Sequence, residues 1–179
     1  MHAGAREAGR VILTRERILA EIAAGNIELD PYDAGLVGPA SIDLHLGDEI
    51  RILEPTTTAI NIRDDTDYRA YSRVESLDAP FTLDPGETIL GITRERIRLA
   101  ANLCGWLEGR SRFARLGLTI HVTAGFISPG IDNRQVLEIS NLSGRKLRLF
   151  AGTRICQIIV QRTEGAAVYR GQFASQTKL

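Results

Sequence analysis

Apolar residues recur at every second position through much of the chain, which is the period of half-buried β-strands. In the stretch ASIDLHLG, Ile42, Leu44 and Leu46 alternate with polar neighbours. Further short apolar or alternating runs follow between Phe81 and Gln161, separated by Gly, Pro, Asn or Asp. Short strands at such spacing predict a mainly β protein that folds as a sandwich or a barrel.

One segment near the N-terminus follows the helical period instead. In LTRERILAEIAAGNI, the apolar residues Ile18, Leu19 and Ile22 fall on one helical face. Thr14 is a suitable N-cap, and Gly25 stands where a helix should stop. We therefore expect one short amphipathic helix before the first strand.

Two segments show no clear period. Residues 54–80 are polar and irregular, which indicates a long connection with one or two edge strands. The last part of the chain, about residues 161–179, is rich in small and polar residues and is typical of a mobile tail or lid. We expect a single domain over residues 1–179, because a chain of 179 residues can bury a sizeable core.

The composition of the chain limits the kinds of molecule that it could bind. The chain has 22 acidic and 22 basic residues, so no overall positive field would attract nucleic acid or an anionic membrane. No apolar run is long enough to cross a bilayer, and the first residues lack the apolar stretch of a signal peptide, so we expect a cytoplasmic protein. Cys104 and Cys156 lie in apolar segments, which predicts buried, reduced thiols.

An anion site must therefore be a local cluster, and the stretch EGRSRFARLG, residues 108–117, is one candidate. Ser111 could cap a single helical turn that ends at Gly117, and a helix N-terminus offers N–H groups to an anion. Ser111 and Arg115 are four residues apart and would share a face of that turn. The alternative is a solvated turn that carries three arginines, and the residues alone leave both interpretations open.

A second candidate is the glutamate in RQVLEISN. Alternation places Leu137 and Ile139 on one face of a strand, and Val136, Glu138 and Ser140 on the other. On a concave sheet face, desolvation would raise the pKa of the Glu138 carboxyl toward that of a useful general base. The alternative is an ordinary exposed glutamate.

No metal-binding pattern accompanies these residues. His45 and His121 stand alone in strand-like runs, and the chain lacks the His-x-Glu and Cys-x-x-Cys pattern of zinc deaminases. It also lacks a Gly-x-x-x-x-Gly-Lys loop and a dinucleotide-binding fingerprint. We therefore expect no zinc site and none of the common phosphate-binding α/β folds.

Several stretches together resemble the dCTP deaminase branch of the dUTPase-like superfamily. They occur in the family's order from about Val11 to Val160, and they are PASIDLHLG, LDPGETILGIT, LEGRSRFARLGLTIHVTAGFISPG, VLEISN and ICQIIV. The resemblance implies a distorted β-barrel or jelly roll that assembles as a homotrimer, with active sites between subunits. It also implies zinc-independent conversion of dCTP to dUTP and ammonia in pyrimidine deoxynucleotide metabolism, with Mg²⁺ bound through the triphosphate.

The resemblance also implies roles for individual residues. Glu138 would be the general base that activates a water for attack on C4 of cytosine. The Ser111 hydroxyl and the Ala124 carbonyl would hold that water, and Arg115 would stabilise the developing charge. The implied nucleotide contacts are Arg110, Ser111, Arg112, Arg115, Thr123, Ser128, Val136, Leu137, Gln157, Tyr169 and Gln172.

The chain departs from the family pattern at Arg112 (usually Ser), Ser128 (a sugar-binding Asp), Asn133 (Gly) and Val168 (a phosphate-binding Lys). Two alternatives to a dUTP-forming deaminase therefore stay open. One is a bifunctional enzyme that carries dCTP through to dUMP and pyrophosphate, which Gly125 favours and Ser128 disfavours. The other is a nucleotide-binding trimer that has lost catalysis. A plain dUTPase is disfavoured, because GFISPG lacks the Gly-x-x-Asp motif of that branch.

Overall fold

The computed structural model of the chain describes residues 12–121 and 123–179, so Val11 and Val122 of the quoted stretches lie outside it. The helices are α1 (Arg15–Ala23) and α2 (Ser111–Ala114). The strands are β1 (Ile27–Asp30), β2 (Ile42–Leu53), β3 (Ser72–Ser76), β4 (Phe81–Leu83), β5 (Thr88–Leu99), β6 (Leu103–Gly109), β7 (Leu118–Ile120), β8 (Phe126–Ile127), β9 (Asp132–Asn141), β10 (Leu147–Leu149) and β11 (Arg154–Arg162).

Nine of these strands form one antiparallel sheet that curls into a half-barrel. Its main path runs β7, β9, β5, β2, β11, β6 and β8, while β1 pairs with β5 and β3 pairs with β2. The strands β10 and β4 form a separate two-stranded sheet. The predicted mainly β fold is confirmed.

The curled sheet encloses the apolar core on one face. The strand register brings Ile52, Ile89 and Ile139 side by side across β2, β5 and β9, and all three are buried. Burying such side chains contributes roughly 1.5 to 3 kcal/mol each, so the sheet face with the alternating Ile and Leu residues stabilises the fold. The opposite face of the same three strands is free to carry polar groups.

The predicted short helix before the first strand is present as α1, which packs against the core. Ile18 is completely buried against the sheet, and Gly25 ends the helix in a left-handed conformation with φ of 71°. Thr14 occupies the N-cap position, but its side chain makes no capping hydrogen bond. Instead, Glu21 ties the helix to the sheet through an ion pair with Arg162 of β11.

The two segments without a clear period are mostly irregular in the structure. The connection 54–80 contributes the edge strand β3, which pairs with β2, and a single 3₁₀ turn at Tyr68–Tyr71. The tail begins after Arg162, where β11 ends, and runs back over the sheet. There the amide of Tyr169 donates to the Pro129 carbonyl at 2.9 Å.

Both cysteines are free and buried, as the sequence predicts. Burial raises the pKa of the Cys156 thiol, so this thiol stays protonated. None of the helices in the described part of the chain is long and apolar enough to cross a membrane.

Candidate active site

The face of β9 that turns away from the core carries Glu138. The register places Leu90 of β5 and Arg51 of β2 beside it in one row. On the other face, Leu137 and Ile139 are fully buried, whereas the Glu138 side chain keeps 35% of its surface exposed. Glu138 is therefore a half-buried carboxylate on a well-paired strand, in the orientation that the alternation predicts.

A cavity of about 570 Å³ lies against this face. Five of the residues that the sequence assigned to the site line it: Ala124, Ser128, Val136, Glu138 and Tyr169. They come from the segment around β8, from β9 and from the tail, so the sheet edge and the tail together enclose the space. A volume of this size is sufficient for a nucleoside-sized ligand.

His121 is the nearest polar partner of Glu138, and the sequence analysis did not assign it to the site. Its Nδ1 lies 3.1 Å from Oε2 of Glu138, and its backbone N–H donates to the Glu138 carbonyl at 2.8 Å. Its Nε2 lies 2.8 Å from the carbonyl oxygen of Ala124. The backbone of His121 is left-handed, with φ of 56°, which is uncommon for a residue other than glycine.

The contacts of the two ring nitrogens of His121 indicate that the imidazole is protonated. A carbonyl oxygen only accepts hydrogen bonds, so Nε2 must carry a hydrogen toward Ala124. A neutral ring would then present a bare Nδ1 lone pair to a carboxylate oxygen 3.1 Å away, which is repulsive. A protonated His121 removes this repulsion and forms an ion pair with Glu138.

The electrostatic surroundings agree with that ion pair. The contact with His121 lowers the pKa of Glu138 below its ordinary value, against the opposing effect of partial burial. Burial by itself would lower the pKa of His121, but the Glu138 carboxylate and the Ala124 carbonyl raise it overall. The expected net rise in the pKa of Glu138 is therefore wrong for this arrangement, because the contact with His121 outweighs desolvation.

The geometry of the pair is that of an ion contact more than that of a hydrogen bond. Nδ1 of His121 and Oε2 of Glu138 are close enough for a salt bridge but are poorly aligned for N–H donation. Both atoms are buried, and within the described residues neither has a hydrogen-bond partner. Each atom is therefore available to a better aligned group, such as a ligand or a water.

Residues 110–115 form the arginine turn, built on the short helix α2 between β6 and β7. Arg110, not Ser111, is the N-cap residue, and no side chain caps the turn, so the prediction of a Ser111 cap is wrong. Ser111 is instead the first helical residue. Gly117, with φ of 86°, follows the turn as predicted.

The arginines of the turn differ in their partners. Nη1 of Arg110 lies 3.0 Å from Oδ2 of Asp43 on β2, so Arg110 has a carboxylate partner within the chain, which it shares with Arg154. Arg112 and Arg115 are exposed, and no carboxylate of residues 12–121 or 123–179 pairs with them. Arg112 and Arg115 are therefore the two arginines of the turn that have no carboxylate partner in the described part of the chain.

The single chain does not bring all predicted residues together. The arginine turn does not line the cavity, so Ser111 and Arg115 stand apart from Glu138. Gln157 lies beside the turn, where it accepts a hydrogen bond from Ser41 at 2.7 Å. Gln172 lines a neighbouring cleft, and the exposed Thr123 lines neither space.

At two further positions of the sequence analysis, the side chain limits what the residue can contribute to nucleotide binding. Leu137 points into the core, so only its backbone could contact a nucleotide. Val168, which replaces a lysine of the family pattern, is exposed and lies over Gly130. The predicted catalytic and nucleotide-binding roles stay predictions. In the structure, the residues to which these roles were assigned fall mainly into two groups, one around the cavity and one at the arginine turn.

Sequence reasoning missed several residues that line the cavity. They are His121, Phe126, Asn133, Gln135, Tyr68 and Phe173. His121 was visible as part of the His-Val-Thr-Ala block, three positions before Ala124, and Asn133 was visible as a departure. Tyr68 lies in the irregular connection, where no periodic signal marks it. Among the residues that the structure describes, no group of three or more His, Cys, Asp or Glu side chains could hold a metal ion.

Comparison with known proteins agrees with this fold. The sequence matches the dCTP deaminase-like family over residues 12–163. A protein of Parafrankia sp. (strain EAN1pec) named "dCTP deaminase, dUMP-forming" is 38% identical over 178 residues, which cover 93% of this chain and 87% of that protein. A protein of the same name from Mycolicibacterium vanbaalenii is 40% identical over 159 residues, 88% of this chain and 83% of that protein.

A solved structure is similar as well. The crystal structure of 2'-deoxycytidine 5'-triphosphate deaminase from Agrobacterium tumefaciens superposes with a TM-score of 0.68 at 22% identity. The match covers 86% of this chain but only 49% of that chain, so this protein spans about half of its length. At 22% identity, the structural similarity establishes only the fold. The sequence matches described above establish the family. The chain therefore belongs to the dCTP deaminase-like family.

Proposed function

We propose that the protein removes the 4-amino group of dCTP by hydrolysis and releases dUTP and ammonia. The observation that carries the proposal is the cavity of about 570 Å³ with the Glu138 carboxylate on its wall. The names of the relatives, which are dCTP deaminases, supply the substrate. The predicted enzyme activity, deamination of dCTP, agrees with those names.

The proposed reaction uses Glu138 as the general base. Glu138 takes a proton from a water whose oxygen bonds to C4 of cytosine, and it passes that proton to N3. The second proton of the water goes to the amine, the C4–N4 bond breaks, and ammonia leaves. The ring keeps a carbonyl at C4 and a hydrogen on N3, so all atoms are accounted for.

For this step His121 must leave its present position. In the structure Oε2 of Glu138 faces His121, and the Ala124 carbonyl accepts from the same ring. These are the two groups that the water needs, one to take its proton and one to hold it. Rotation of the imidazole out of the pair exposes both at once.

The triphosphate binds at the arginine turn. Arg112 and Arg115 are exposed and lack carboxylate partners in the described part of the chain, and each charge-assisted contact to a phosphate is worth roughly 1.5 to 3 kcal/mol. Because the turn does not line the cavity of its own chain, the turn of one subunit serves the cavity of another in a homotrimer. Mg²⁺ arrives bound to the phosphates, and no zinc takes part.

The proposed product is dUTP, because Glu138 is the only carboxylate among the described residues that line the cavity. Ser128, in the same cavity, supplies a hydroxyl where the family has an aspartate. A second candidate is onward hydrolysis to dUMP and pyrophosphate, which the names of the relatives favour. The cytoplasmic location stays a prediction.

One experiment tests the proposal. Purified protein is incubated with Mg²⁺ and dCTP, and ammonia, dUTP and dUMP are measured separately. Ammonia with dUTP supports the proposal, and ammonia with dUMP supports the bifunctional candidate. Retained dCTP binding without ammonia would overturn both and favour a trimer that has lost catalysis. In a parallel assay, a zinc-selective chelator should leave the rate unchanged, while loss of the activity would contradict the zinc-free mechanism.

A further inference from the structure

The N-terminal half of β9 has an open edge. Strand β7 pairs with β9 only from Ile139 to Asn141, and the contact is extended to Glu138 by the His121 amide. Before that point, no strand of the described residues lies beside the edge of β9 that faces away from β5. An unpaired edge exposes N–H and C=O groups that must find other partners.

The tail covers this open edge. The amide of Arg134 donates to the Gln176 carbonyl at 2.9 Å. One residue earlier, Nδ2 of Asn133 donates to the Phe173 carbonyl at 2.8 Å. Phe173 and Gln176 both line the cavity, so these two bonds hold the wall that the tail supplies.

Asn133 is well placed to hold the tail. Only 6% of its surface is exposed, so its amide makes its bonds out of contact with bulk water. Its Oδ1 accepts from Nε2 of Gln135, which fixes the orientation of the amide. The NH₂ group must then point to Phe173.

The support for Asn133 continues into the sheet. The register between β5 and β9 shifts between Ile92 and Arg96, which leaves the Gln135 amide without a regular strand partner. That amide donates to Oγ1 of Thr93 at 2.9 Å, and the Thr93 hydroxyl donates to the Glu95 carbonyl at 2.8 Å. Thr93 is fully buried, so the Gln135 backbone is held rigidly.

We propose that Asn133 is a positioning residue that holds the C-terminal segment, residues 169–176, closed over the cavity. In the proposed function this segment forms one wall around the bound nucleotide, and the inference rests on that function for its effect on dCTP. The Arg134 bond is a backbone bond that a side-chain substitution leaves in place. Asn133 is therefore the point at which the closed position can be weakened selectively.

The test compares two substitutions of Asn133 that both remove the hydrogen-bond donor to Phe173. Asn133→Ala removes the whole amide, whereas Asn133→Asp keeps its shape and its bond from Gln135 but loses the donor to Phe173. Asn102→Ala is the control, because Asn102 is exposed near the start of the tail and its side chain makes no hydrogen bond to another described residue.

Limited trypsin digestion reports the position of the tail without any need for activity. Arg170 is an exposed site in the tail. Arg63 is an exposed site in the connection 54–80 and does not line the cleft beside the tail, so it serves as an internal control. Loss of one net hydrogen bond should make cleavage after Arg170 about 3- to 10-fold faster in both Asn133 variants, since cleavage follows the population of the open tail. Cleavage after Arg63, and all cleavage of Asn102→Ala, should stay at the wild-type rate.

Steady-state kinetics give the second readout. Opening of the tail should raise KM for dCTP by about the same 3- to 10-fold, with kcat within about 2-fold of wild type. Unchanged cleavage after Arg170 overturns the inference, and so does faster cleavage at every site or in Asn133→Ala alone. Faster cleavage after Arg170 in a protein that does not deaminate dCTP would refute the proposed function and leave the role of Asn133 intact.

Discussion

The cavity around Glu138 is enclosed by elements of a single chain, whereas the arginine turn lies open on the surface of that chain. At the cavity, β9, the segment before β8 and the tail enclose a space, and Glu138 has His121 as its partner. At the turn, Arg112 and Arg115 point to solvent without carboxylate partners in the described residues. The difference agrees with the proposal that one chain builds the pocket for the base and that a second chain supplies the phosphate-binding turn.

The position of each region in the sheet explains the difference. Strand β9 is paired on both sides along part of its length, so its side chains stand between neighbouring elements. Helix α2 is a turn of four residues at the surface. Its Phe113 packs against the core, while Ser111 and Arg112 are exposed. A polar group between packed elements finds partners in its own chain, whereas one on a surface turn needs a ligand or a second molecule.

The largest change in activity is expected from a substitution in the cavity. Glu138→Gln should lower kcat about a hundredfold or more, because the amide keeps the shape of the side chain but cannot take a proton from water. Binding of dCTP should change by no more than a few-fold. Ammonia release measures the rate, and isothermal titration measures binding. Appreciable ammonia release by this variant would exclude Glu138 as the base.

The next effect is at the turn. Arg115→Ala should weaken dCTP binding about 10- to 100-fold, the equivalent of one charge-assisted phosphate contact, and should leave deoxycytidine binding nearly unchanged. Arg17→Ala, at an exposed position on α1, is the matched control and should change neither. Equal losses for the two ligands, or no loss, would show that the turn is merely solvated.

A mixing experiment tests whether the two regions meet between chains. Sedimentation should first show a trimer. Co-expression of the Glu138→Gln and Arg115→Ala chains should then restore about a quarter of the wild-type rate, because one site in four combines both intact residues from different subunits. If both residues of a site come from one chain, the mixture stays as inactive as its parts, and the shared-site proposal fails.

The smallest effect concerns the His121–Glu138 pair. His121 has a raised pKa, so its contribution to stability is complete below its ordinary value of 6.5 and is lost as pH rises through the raised value. Glu138 has a lowered pKa, so its contribution is present above its ordinary value of 4.5 and is lost as pH falls through the lowered value. The pair should therefore stabilise the fold most between these two ordinary values.

Urea unfolding at fixed protein concentration measures this contribution. Wild type should exceed Glu138→Gln in free energy of unfolding by about 1 kcal/mol or less near pH 5.5, because Glu138 is partly exposed to solvent. The difference should shrink near pH 8.5. A difference that grows with pH would mean that His121 is not the charged partner.

The cavity and the turn also differ in how far the sequence predicts them. The alternation around Glu138 predicts its face of the strand correctly, because the period of a strand is a local property. The turn before Gly117 is also predicted, since glycine marks a local change of backbone direction. The Ser111 cap was wrong, because cap identity depends on where the strand before the turn ends.

By itself, the sequence determined the strands, the opening helix, the buried cysteines and the family, because each rests on local periodicity or on ordered motifs. Only the tertiary structure decided that His121 faces Glu138, 17 positions later, and that Asn133 binds the Phe173 carbonyl, 40 positions later. Such contacts depend on strand register and on the path of the tail, which no local pattern records. The lowered pKa of Glu138 follows from the first contact, and the second contact is one of the bonds that hold the tail over the cavity.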